Sequence, residues 1–547
     1  MRGASIRAVR LVTICPPMSD ATTPSTERAR WRDAAVVAFL ALLVAVNVLG
    51  NEIVYDDRVL VENPALREPW AWRGVWASTW WGEARPGTGL YRPLASWSLA
   101  LNGWGNTVLG LPFESVVAFH AVNALLHAVA SVLVLAFLGV LGFSSAAARI
   151  GAALFAVLAI HVEALAPITG RSETLALLFG LVFVLLHARR KSAVLAALAF
   201  LAALSCKESA VGFLGLACAM DVLVKRERPP ILRHGLALAA LGVFLVARWA
   251  ALRGPLGAVS VLDNPLVAAS GSERMFTALA IQFEYLWLML VPVGFKSDAS
   301  LAQLEIDGSV FEVRVLGCLA VLGVVVAWAL RSPVQRRAIV LSIAGYAMLF
   351  AVTSNLLFLI GTARAERLAY APSMFVCGLL GLACASIGPR LGTGIAVVLV
   401  AGNLVASLSR NAVWRDPGTF FRAQVVEAPR SAKARFNFGA QLASEGDDAG
   451  AEREYGYALQ VHPDYVEALH NLGNVLRRRG EAEKALGHYR RALELQPQFL
   501  PAAFGIVGAL HELGRPDEAR AMLDQIERRA PGHAWLGAHR ALLARPR

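Results

Sequence analysis

Long apolar runs alternate with short polar segments through the first 410 residues of the chain. Clear examples are residues 34–50, 235–251, 313–330 and 391–408. Each run is about as long as a helix must be to cross a hydrocarbon core of roughly 30 Å. The pattern therefore predicts a membrane protein with many spans.

The loops between these runs predict how the chain crosses the membrane. Segment 275–293 is ambiguous, because it carries Gln282 and Glu284 and ends near Pro292. If it crossed, the loop with Arg331, Arg336 and Arg337 would face outward, against the positive-inside rule. We expect it to lie along the outer leaflet. About eleven spans then remain: 34–50, 115–140, 149–166, 174–188, 192–205, 209–224, 234–251, 313–330, 338–357, 369–387 and 391–408.

The tail of the chain has a different pattern. From residue 410 onward, 37 of 138 residues are charged, against 55 of the preceding 409. Small residues and prolines recur there every 34 positions: Gly446, Gly480 and Gly514; Ala451, Ala485 and Ala519; Pro463, Pro497 and Pro531. This period is typical of tetratricopeptide repeats, in which small residues let paired helices pack closely and proline ends the second helix.

These patterns predict an all-α fold with five parts. A cytoplasmic N-terminal segment (1–33), in which Met18 is an alternative start, precedes a polytopic transmembrane bundle (34–409) with a large outer loop (51–114). A connector with a partial repeat (410–431) leads to three repeat units (432–465, 466–499 and 500–533) that form an α-solenoid, and then to a tail (534–547). Because eleven is an odd number of spans, the two ends of the chain lie on opposite sides of the membrane, and we expect the repeats on the outer side.

Composition narrows the function classes. The chain is 56% hydrophobic and 17% charged, with a mean hydropathy of +0.53, which excludes an ordinary soluble enzyme. The net charge of +12 follows from basic cytoplasmic loops, so we expect no nucleic-acid partner. Six scattered cysteines give no zinc or disulfide pattern, and no nucleotide-binding loop is present in the sequence.

Polar clusters converge at the outer ends of the predicted spans. They are Asp56 and Asp57; Tyr91 and Arg92; His161 and Glu163; Arg171 and Glu173; Lys207 and Glu208; and Glu366, Arg367 and Tyr370. Any one cluster is more simply a solvated charge or a local ion pair, but six at one membrane depth indicate a hydrated cavity.

The two signs of charge in these clusters suggest two tasks. The acidic pair Asp56 and Asp57 suits a base acting on an acceptor hydroxyl, or a divalent metal, whose presence stays open; no cofactor is required. Arg92, Arg171, Lys207 and Arg367 suit a phosphate or pyrophosphate. His161 is more simply a structural hydrogen-bonding group than a base. The tryptophans of the outer loop, including Trp80 and Trp81, most simply anchor it at the membrane interface.

The same motifs, in this order, resemble a known family. From residue 34 to 533 the sequence is similar to the transmembrane and tetratricopeptide-repeat-containing proteins, which are GT-C glycosyltransferases related to protein O-mannosyltransferases. The carriers are Tyr55-Asp56-Asp57, Asn63-Pro64, Tyr91-Arg92-Pro93-Leu94, Phe119-His120 with Asn123 and His127, His161-Val-Glu163, Gly170-Arg171-Ser-Glu173, Lys207-Glu208, Ala365-Glu366-Arg367 with Tyr370, and Arg410-Asn411 with Trp414.

The resemblance implies transfer of a sugar, such as mannose, from a polyprenyl-phosphate carrier to a Ser or Thr hydroxyl of an exported protein, with inversion at the anomeric carbon. It also implies that an acidic residue of the first outer loop acts as the base, with Asp56 favoured over Asp57. The resemblance makes Arg171, Lys207 and Arg367 candidates for binding the lipid phosphate. One departure concerns the donor: the family often has His-Pro where this chain has Leu158 and Ala159.

Two other function classes stay open on the sequence. The bundle can be an inactive anchor for a repeat scaffold that gathers partners, or the acceptor can be a lipid or cell-wall glycan. The alanine- and arginine-rich composition favours a bacterial inner membrane, with the N-terminus in the cytoplasm.

Overall fold

The computed structural model describes residues 24–59, 63–67, 70, 72–82, 89–225, 230–252 and 259–544. Cys15, Met18, the rest of residues 1–23 of the predicted N-terminal segment, parts of the outer loop, and residues 545–547 of the tail lie outside the described residues. In the part that the structure describes, the secondary structure is helical throughout.

The first 411 residues contain fifteen α-helices in the described ranges. In chain order they are α1 Pro24–Val44, α2 Trp72–Ala77, α3 Pro93–Val108, α4 Val116–Leu141, α5 Ser145–Val157, α6 Val162–Leu165, α7 Arg171–Ala188, α8 Ala193–Cys206, α9 Gly212–Met220, α10 Ile231–Leu252, α11 Gly271–Leu290, α12 Val313–Arg331, α13 Arg336–Phe350, α14 Ser373–Ser386 and α15 Pro389–Asn411.

Six helical segments within the described residues are long and apolar enough to cross a membrane: residues 27–48, α4, 168–188, α10, α12 and 389–414. The pair α5 and α6, bent by 47° at Leu158, would make a seventh, and α8 and α14 are shorter apolar helices. Segment 275–293, expected outside the span set, lies mainly in α11 and is not among these candidates. The count of about eleven spans stays a prediction.

Two helices of the bundle approach each other closely through glycines. A Cβ on Gly381 of α14 would lie 2.2 Å from the carbonyl oxygen of Ala147 in α5, and one on Gly151 would lie 2.9 Å from the carbonyl oxygen of Cys377. Small residues of this kind let helix backbones pack against each other in lipid, where apolar burial gives little driving force.

The predicted outer loop 51–114 is largely folded. It holds 3-10 turns at Tyr55–Arg58 and Pro64–Arg67 and the helices α2 and α3. Trp80 and Trp81 are buried with Leu99 and Phe119 in a core of this loop. The expectation that these two tryptophans anchor the loop at the membrane interface is therefore wrong: their apolar rings stabilise the loop itself.

The beginning and end of the bundle are joined by hydrogen bonds. The Asn411 side chain donates to the carbonyl oxygen of Val44 (2.8 Å), and Asn51 donates to the carbonyl oxygen of Asn411 (3.3 Å). The backbone N–H of Glu52 donates to the carbonyl oxygen of Arg415 (2.8 Å). The chain that follows α15 therefore starts beside the first outer loop.

The tail consists of helices arranged in pairs. After a single connector helix come three pairs and a last helix, with bounds α16 Pro417–Glu427, α17 Ala432–Ser444, α18 Asp448–Val461, α19 Val466–Arg478, α20 Ala482–Leu495, α21 Leu500–Glu512, α22 Pro516–Arg529 and α23 Trp535–Ala544. The recurring alanines, Ala451, Ala485 and Ala519, are fully buried between helices.

The recurring glycines, which were expected to let paired helices pack closely, lie instead at the ends of helices. Gly446, Gly480 and Gly514 have φ of +87°, +81° and +72°, a backbone conformation that glycine adopts at little cost. A Cβ on Gly446 or Gly480 would meet no atom within 4 Å. These glycines end the first helix of each pair, and they do not serve close helix packing.

Candidate functional site

Asp57 is held in the protein interior by the start of α7. Its carboxylate accepts hydrogen bonds from the backbone N–H of Ile168 (2.9 Å), and from the backbone N–H (2.8 Å) and hydroxyl (2.8 Å) of Thr169. Burial raises the pKa of Asp57 to about 7, although the three donors act in the opposite direction. This carboxylate links the first loop to the 3-10 turn Ile168–Gly170.

Asp56, the preceding residue, is in a different environment. It is half-buried, and within the described part of the chain no donor lies within hydrogen-bonding distance of its carboxylate. Tyr55, just before it, has a φ of +52°, which non-glycine residues rarely adopt. Of the two neighbouring carboxylates, only Asp57 is therefore engaged by hydrogen bonds within the described residues.

Arg367 is a basic residue whose charge interacts with that of Asp56. Its guanidinium forms an ion pair with Glu163 (2.5 Å), and its backbone N–H donates to the other oxygen of the same carboxylate (3.0 Å). Burial lowers the pKa of Arg367, but the charges of Glu163 and Asp56 outweigh it and raise the pKa above its ordinary value. One third of the Arg367 side chain (33%) is exposed.

Two further acid–base pairs lie in the same region. Lys207 pairs with Glu173, and Arg92 Nε lies 3.6 Å from Glu208. Burial, followed by the charges of Arg92 and Arg367, lowers the pKa of Lys207, so the three basic groups are close enough to act on one another. With Asp56, whose charge acts on Arg367, these three pairs form an array of alternating charge to which all six predicted clusters contribute.

Tyr91 supports this array from the outer loop. Its backbone N–H donates to Glu208 (3.2 Å), and its buried hydroxyl donates to the carbonyl oxygen of Trp76 (3.0 Å). Arg92 also lies over the Trp80 ring, 5.5 Å from its centre. The outer loop therefore fixes the position of both Arg92 and Glu208.

Arg171 differs from the other three predicted phosphate ligands. It is buried, and its guanidinium donates to the side-chain oxygens of Asn123 and Asn102 (both 2.7 Å) and to the carbonyl oxygens of Ser98 and Phe119. These neutral acceptors engage all three of its nitrogens. The contacts favour a role in joining α3, α4 and α7.

His161 lies in a buried aromatic group with His127 and Tyr370. The Ser373 hydroxyl donates to the carbonyl oxygen of Tyr370 (2.7 Å), so the contact between His161 Nε2 and Ser373 Oγ (2.8 Å) requires His161 to be the donor. The Tyr370 hydroxyl lies 2.8 Å from His127 Nδ1. These bonds favour positioning roles for His161 and Tyr370, because they hold the bent α5–α6 segment against α14.

Glu366 is surrounded by charged groups that the sequence analysis did not select. It accepts from the backbone N–H of Lys296 (2.9 Å) and lies 3.8 Å from Arg410, which is paired with Glu427 of α16. Burial raises the pKa of Glu366, and Arg410 opposes this shift. Arg410 was visible only as a carrier of the family resemblance; Glu427 gave no signal because it sits in the charged tail.

The repeats contact the site directly. The Tyr55 ring packs against Phe420 and Phe421 of α16, with ring centres 5.7 and 6.3 Å apart. Lys433, in the first repeat helix, forms an ion pair with Asp263 (2.6 Å). Phe438, in the same helix, packs against the apolar cluster that contains Val54, Phe420 and Phe421 and that Tyr55 also joins.

A narrow cleft leads into the charged array from the bundle. Its volume is about 20 Å³, and it is lined by Lys207 and Glu173 at its polar end. The other walls are mostly apolar and include Leu177, Phe213, Leu349 and Leu368. A volume of this size holds about one water molecule, so the cleft brings the ion pair of Lys207 and Glu173 into contact with apolar side chains.

Comparisons with known proteins agree with these observations. The tetratricopeptide-repeat family profile matches residues 476–542, which confirms the repeats predicted from the 34-residue period. The chain is 27% identical over 455 residues to the Caenorhabditis elegans "Protein O-mannosyl-transferase F38B6.6", covering 79% of this chain and 63% of that protein.

Further relatives carry the same kind of name. The chain is 27% identical to Mus musculus "Protein O-mannosyl-transferase TMTC4", over 77% of this chain and 65% of that protein. It is 31% identical to Drosophila melanogaster "Protein O-mannosyl-transferase Tmtc2" over half of this chain. These similarities confirm the resemblance stated from the motifs, and the chain spans less than two thirds of the length of the first two relatives.

Proposed function

We propose that the chain is an integral-membrane glycosyltransferase of the GT-C type. It transfers a sugar, with mannose suggested by the names of its relatives, from a polyprenyl-phosphate carrier to Ser or Thr hydroxyls of exported proteins. The observation that carries this proposal is the Asp56 carboxylate, which has no hydrogen bond among the described residues and whose charge acts on Arg367, in an array that also holds Lys207 and Arg92.

The proposed step uses both signs of charge. Asp56 takes the proton of the acceptor hydroxyl as the hydroxyl oxygen attacks the anomeric carbon of the sugar. The bond between that carbon and the phosphate oxygen breaks on the opposite face, and polyprenyl phosphate leaves as an anion. Attack from the face opposite the leaving group inverts the configuration of the anomeric carbon.

Arg367 is proposed as the principal ligand of the leaving phosphate. Of the three basic residues of the array it is the most exposed, at 33% against 16% for Arg92 and 7% for Lys207. A guanidinium also matches the two oxygens of a phosphate with a pair of parallel donors. Lys207 lies beside the apolar side chains Leu177, Phe213 and Leu349, and the isoprenoid chain of the carrier is proposed to pack against these side chains.

The repeats are proposed to present the acceptor. The connector helix packs on Tyr55, and the first repeat helix joins the same apolar cluster through Phe438, so a polypeptide bound along the repeats would reach the base without a long linker. With about eleven spans and a cytoplasmic N-terminus, this face lies on the outer side of the membrane, which we propose to be a bacterial inner membrane.

The test is mass spectrometry of exported proteins and their glycopeptides. Cells would carry the wild-type chain, Asp56→Asn, the control Glu52→Gln, or no copy; Glu52 is an exposed carboxyl group of the same loop. We expect one hexose on specific Ser or Thr residues with wild type and Glu52→Gln only. Hexose found on a lipid or glycan and not on protein would mean that the acceptor is not a protein. Identical products in all four strains would favour a non-catalytic scaffold.

A further inference from the structure

A second cluster of chemically versatile side chains lies at the other end of the helices that carry the charged array. His187 is in the last turn of α7, fourteen residues after Glu173, which corresponds to roughly 21 Å along a helix. Asp221 begins the π-helical turn Asp221–Lys225 after α9, and His234 is in the first turn of α10. Three helices therefore meet at this cluster.

The ligand atoms of this cluster point toward one another. Asp221 Oδ2 lies 2.7 Å from His187 Nε2 and 2.9 Å from His234 Nε2, and all three ligand atoms lie within 4.8 Å of one another. His187 and Asp221 are buried, whereas 13% of the His234 side chain is exposed. The cluster is therefore mostly enclosed but open on the His234 side, where an ion can enter.

The second nitrogen of His234 has its own neighbour. Cys218 Sγ lies 3.6 Å from His234 Nδ1. In the tautomer in which this nitrogen carries the proton and donates to sulfur, the Nε2 lone pair faces the Asp221 carboxylate, and the two atoms together can bind a cation. A π-helical turn at Asp221 adds to this argument, because such turns occur frequently at functional sites.

We propose that His187, Asp221 and His234 bind a zinc ion, with a fourth position open to water on the exposed side. Two imidazole nitrogens and one carboxylate oxygen are a ligand set that Zn²⁺ takes in proteins. Cys218 orients His234 and is not itself a ligand. The ion joins the ends of α7, α9 and α10, far from the transfer site, and stabilises the bundle because it binds only the folded chain.

The experiment uses the full chain, purified in detergent with an affinity tag free of histidine and stripped with a chelator. Zn²⁺ is titrated in competition with a chromogenic chelator, and thermal unfolding is followed in parallel. We expect one zinc ion per chain and a rise in Tm of several degrees. His187→Gln and His234→Gln should lose both, and the control His539→Gln, on a half-buried histidine of α23 far from the cluster in the chain, should keep both.

A second measurement covers the case in which a buried variant fails to fold. Co²⁺ bound to the wild-type chain should give visible d–d bands without a sulfur charge-transfer band, and Cys218→Ser should leave these bands in place. Zinc binding that persists in both histidine variants, or a wild-type Tm that does not respond to Zn²⁺, would overturn the proposal. A strong sulfur band would overturn the ligand set by making Cys218 a ligand.

Discussion

Asp57 accepts hydrogen bonds from both the backbone N–H and the hydroxyl of Thr169, each at 2.8 Å. Two neighbouring carboxylates of the first loop thereby have different surroundings. Asp57 joins the loop to the turn before α7, and we propose that the half-buried Asp56 is the carboxylate that meets a substrate. The adjacency of the two residues in the sequence conceals this difference.

Asp56→Asn and Asp57→Asn should therefore fail in different ways. Removal of a general base costs about 10²- to 10⁴-fold in rate, so Asp56→Asn should lose transfer while its Tm stays within a degree of wild type. Asp57→Asn places an amide NH₂ where backbone N–H groups donate, and should lower the free energy of unfolding by about 1–3 kcal/mol. Transfer assays and thermal unfolding in detergent measure both. Equal losses of stability in the two variants would contradict the division of roles.

The raised pKa of Asp57 makes its contribution to stability depend on pH. Its ordinary value in an unfolded chain is about 3.9, and in the folded protein it is about 7. The folded state therefore favours the protonated form, so the contribution is fully present below pH 4 and is lost as the pH rises through 7. The difference in Tm between wild type and Asp57→Asn should be largest near pH 5 and smallest near pH 8. A difference that grows with pH would show that the ionised form is the one preferred in the folded state.

Arg367→Gln should impair the use of the donor more strongly than Arg367→Lys does. A charge-assisted hydrogen bond contributes about 1.5–3 kcal/mol, so Arg367→Gln should raise the KM for the polyprenyl-phosphate sugar by roughly 10- to 100-fold. Arg367→Lys should recover part of this loss, because it keeps the charge without the paired donors. Steady-state kinetics with a synthetic short-chain donor give the values. Arg171→Gln is the comparison: the buried contacts of Arg171 predict lost stability, with an unchanged KM in the folded fraction.

The ring of Tyr55 should contribute to transfer. Glycine adopts the backbone conformation of this residue easily, so Tyr55→Gly removes the ring without straining the turn. The ring packs on Phe420 and Phe421, and φ is +52°. Tyr55→Gly should lower transfer several-fold although the turn becomes less strained, whereas Tyr55→Phe should stay within a factor of two of wild type. The measurement is the rate at saturating donor. Full activity of Tyr55→Gly would mean that the contact with α16 has no part in placing Asp56.

The crossing of α5 and α14 should tolerate no side chain at Gly381. A Cβ there would lie 2.2 Å from the Ala147 carbonyl oxygen, so Gly381→Ala must push the two helices apart. We expect a loss of several degrees in Tm. The matched control is Gly394→Ala in α15, where a Cβ meets no atom within 4 Å and alanine favours the helix by about 1 kcal/mol. Similar Tm values for the two variants would show that the helices separate at little cost.

The sequence predicted well those features that depend on local pattern. Each of the apolar runs predicted as spans lies largely within helices, because hydrophobic length and helix formation coincide in such runs. The period of 34 located the helix pairs of the tail. Helix α3 escaped prediction because its mixed polar and apolar sequence lies in a segment taken as a loop.

Local sequence patterns could not predict contacts between residues that are far apart in the chain. Asp57 and Thr169 are 112 positions apart, and Arg92 and Glu208 are 116 apart. Arg171 and Arg367 are alike as residue types, yet one donates to neutral oxygens in the interior and the other is paired at a surface. The sequence pattern selected residues by type alone, whereas burial and hydrogen-bond partners distinguish residues that are fully engaged within the protein, such as Arg171, from those that are partly exposed, such as Arg367.

The hydrogen bonds of Asn411 to the end of α1 have a consequence for how the protein is made. Chains are synthesised from the N-terminus, so Tyr55 and Asp56 are made long before Arg367 and Phe420 exist. The surroundings of this turn are complete only when the chain beyond Asn411 has returned to Val44 and Asn51. A ribosome-stalled or truncated product that ends before α15 would carry the carboxylate without its full environment. On the proposed function, transfer should therefore begin only after the chain has been translated beyond α16.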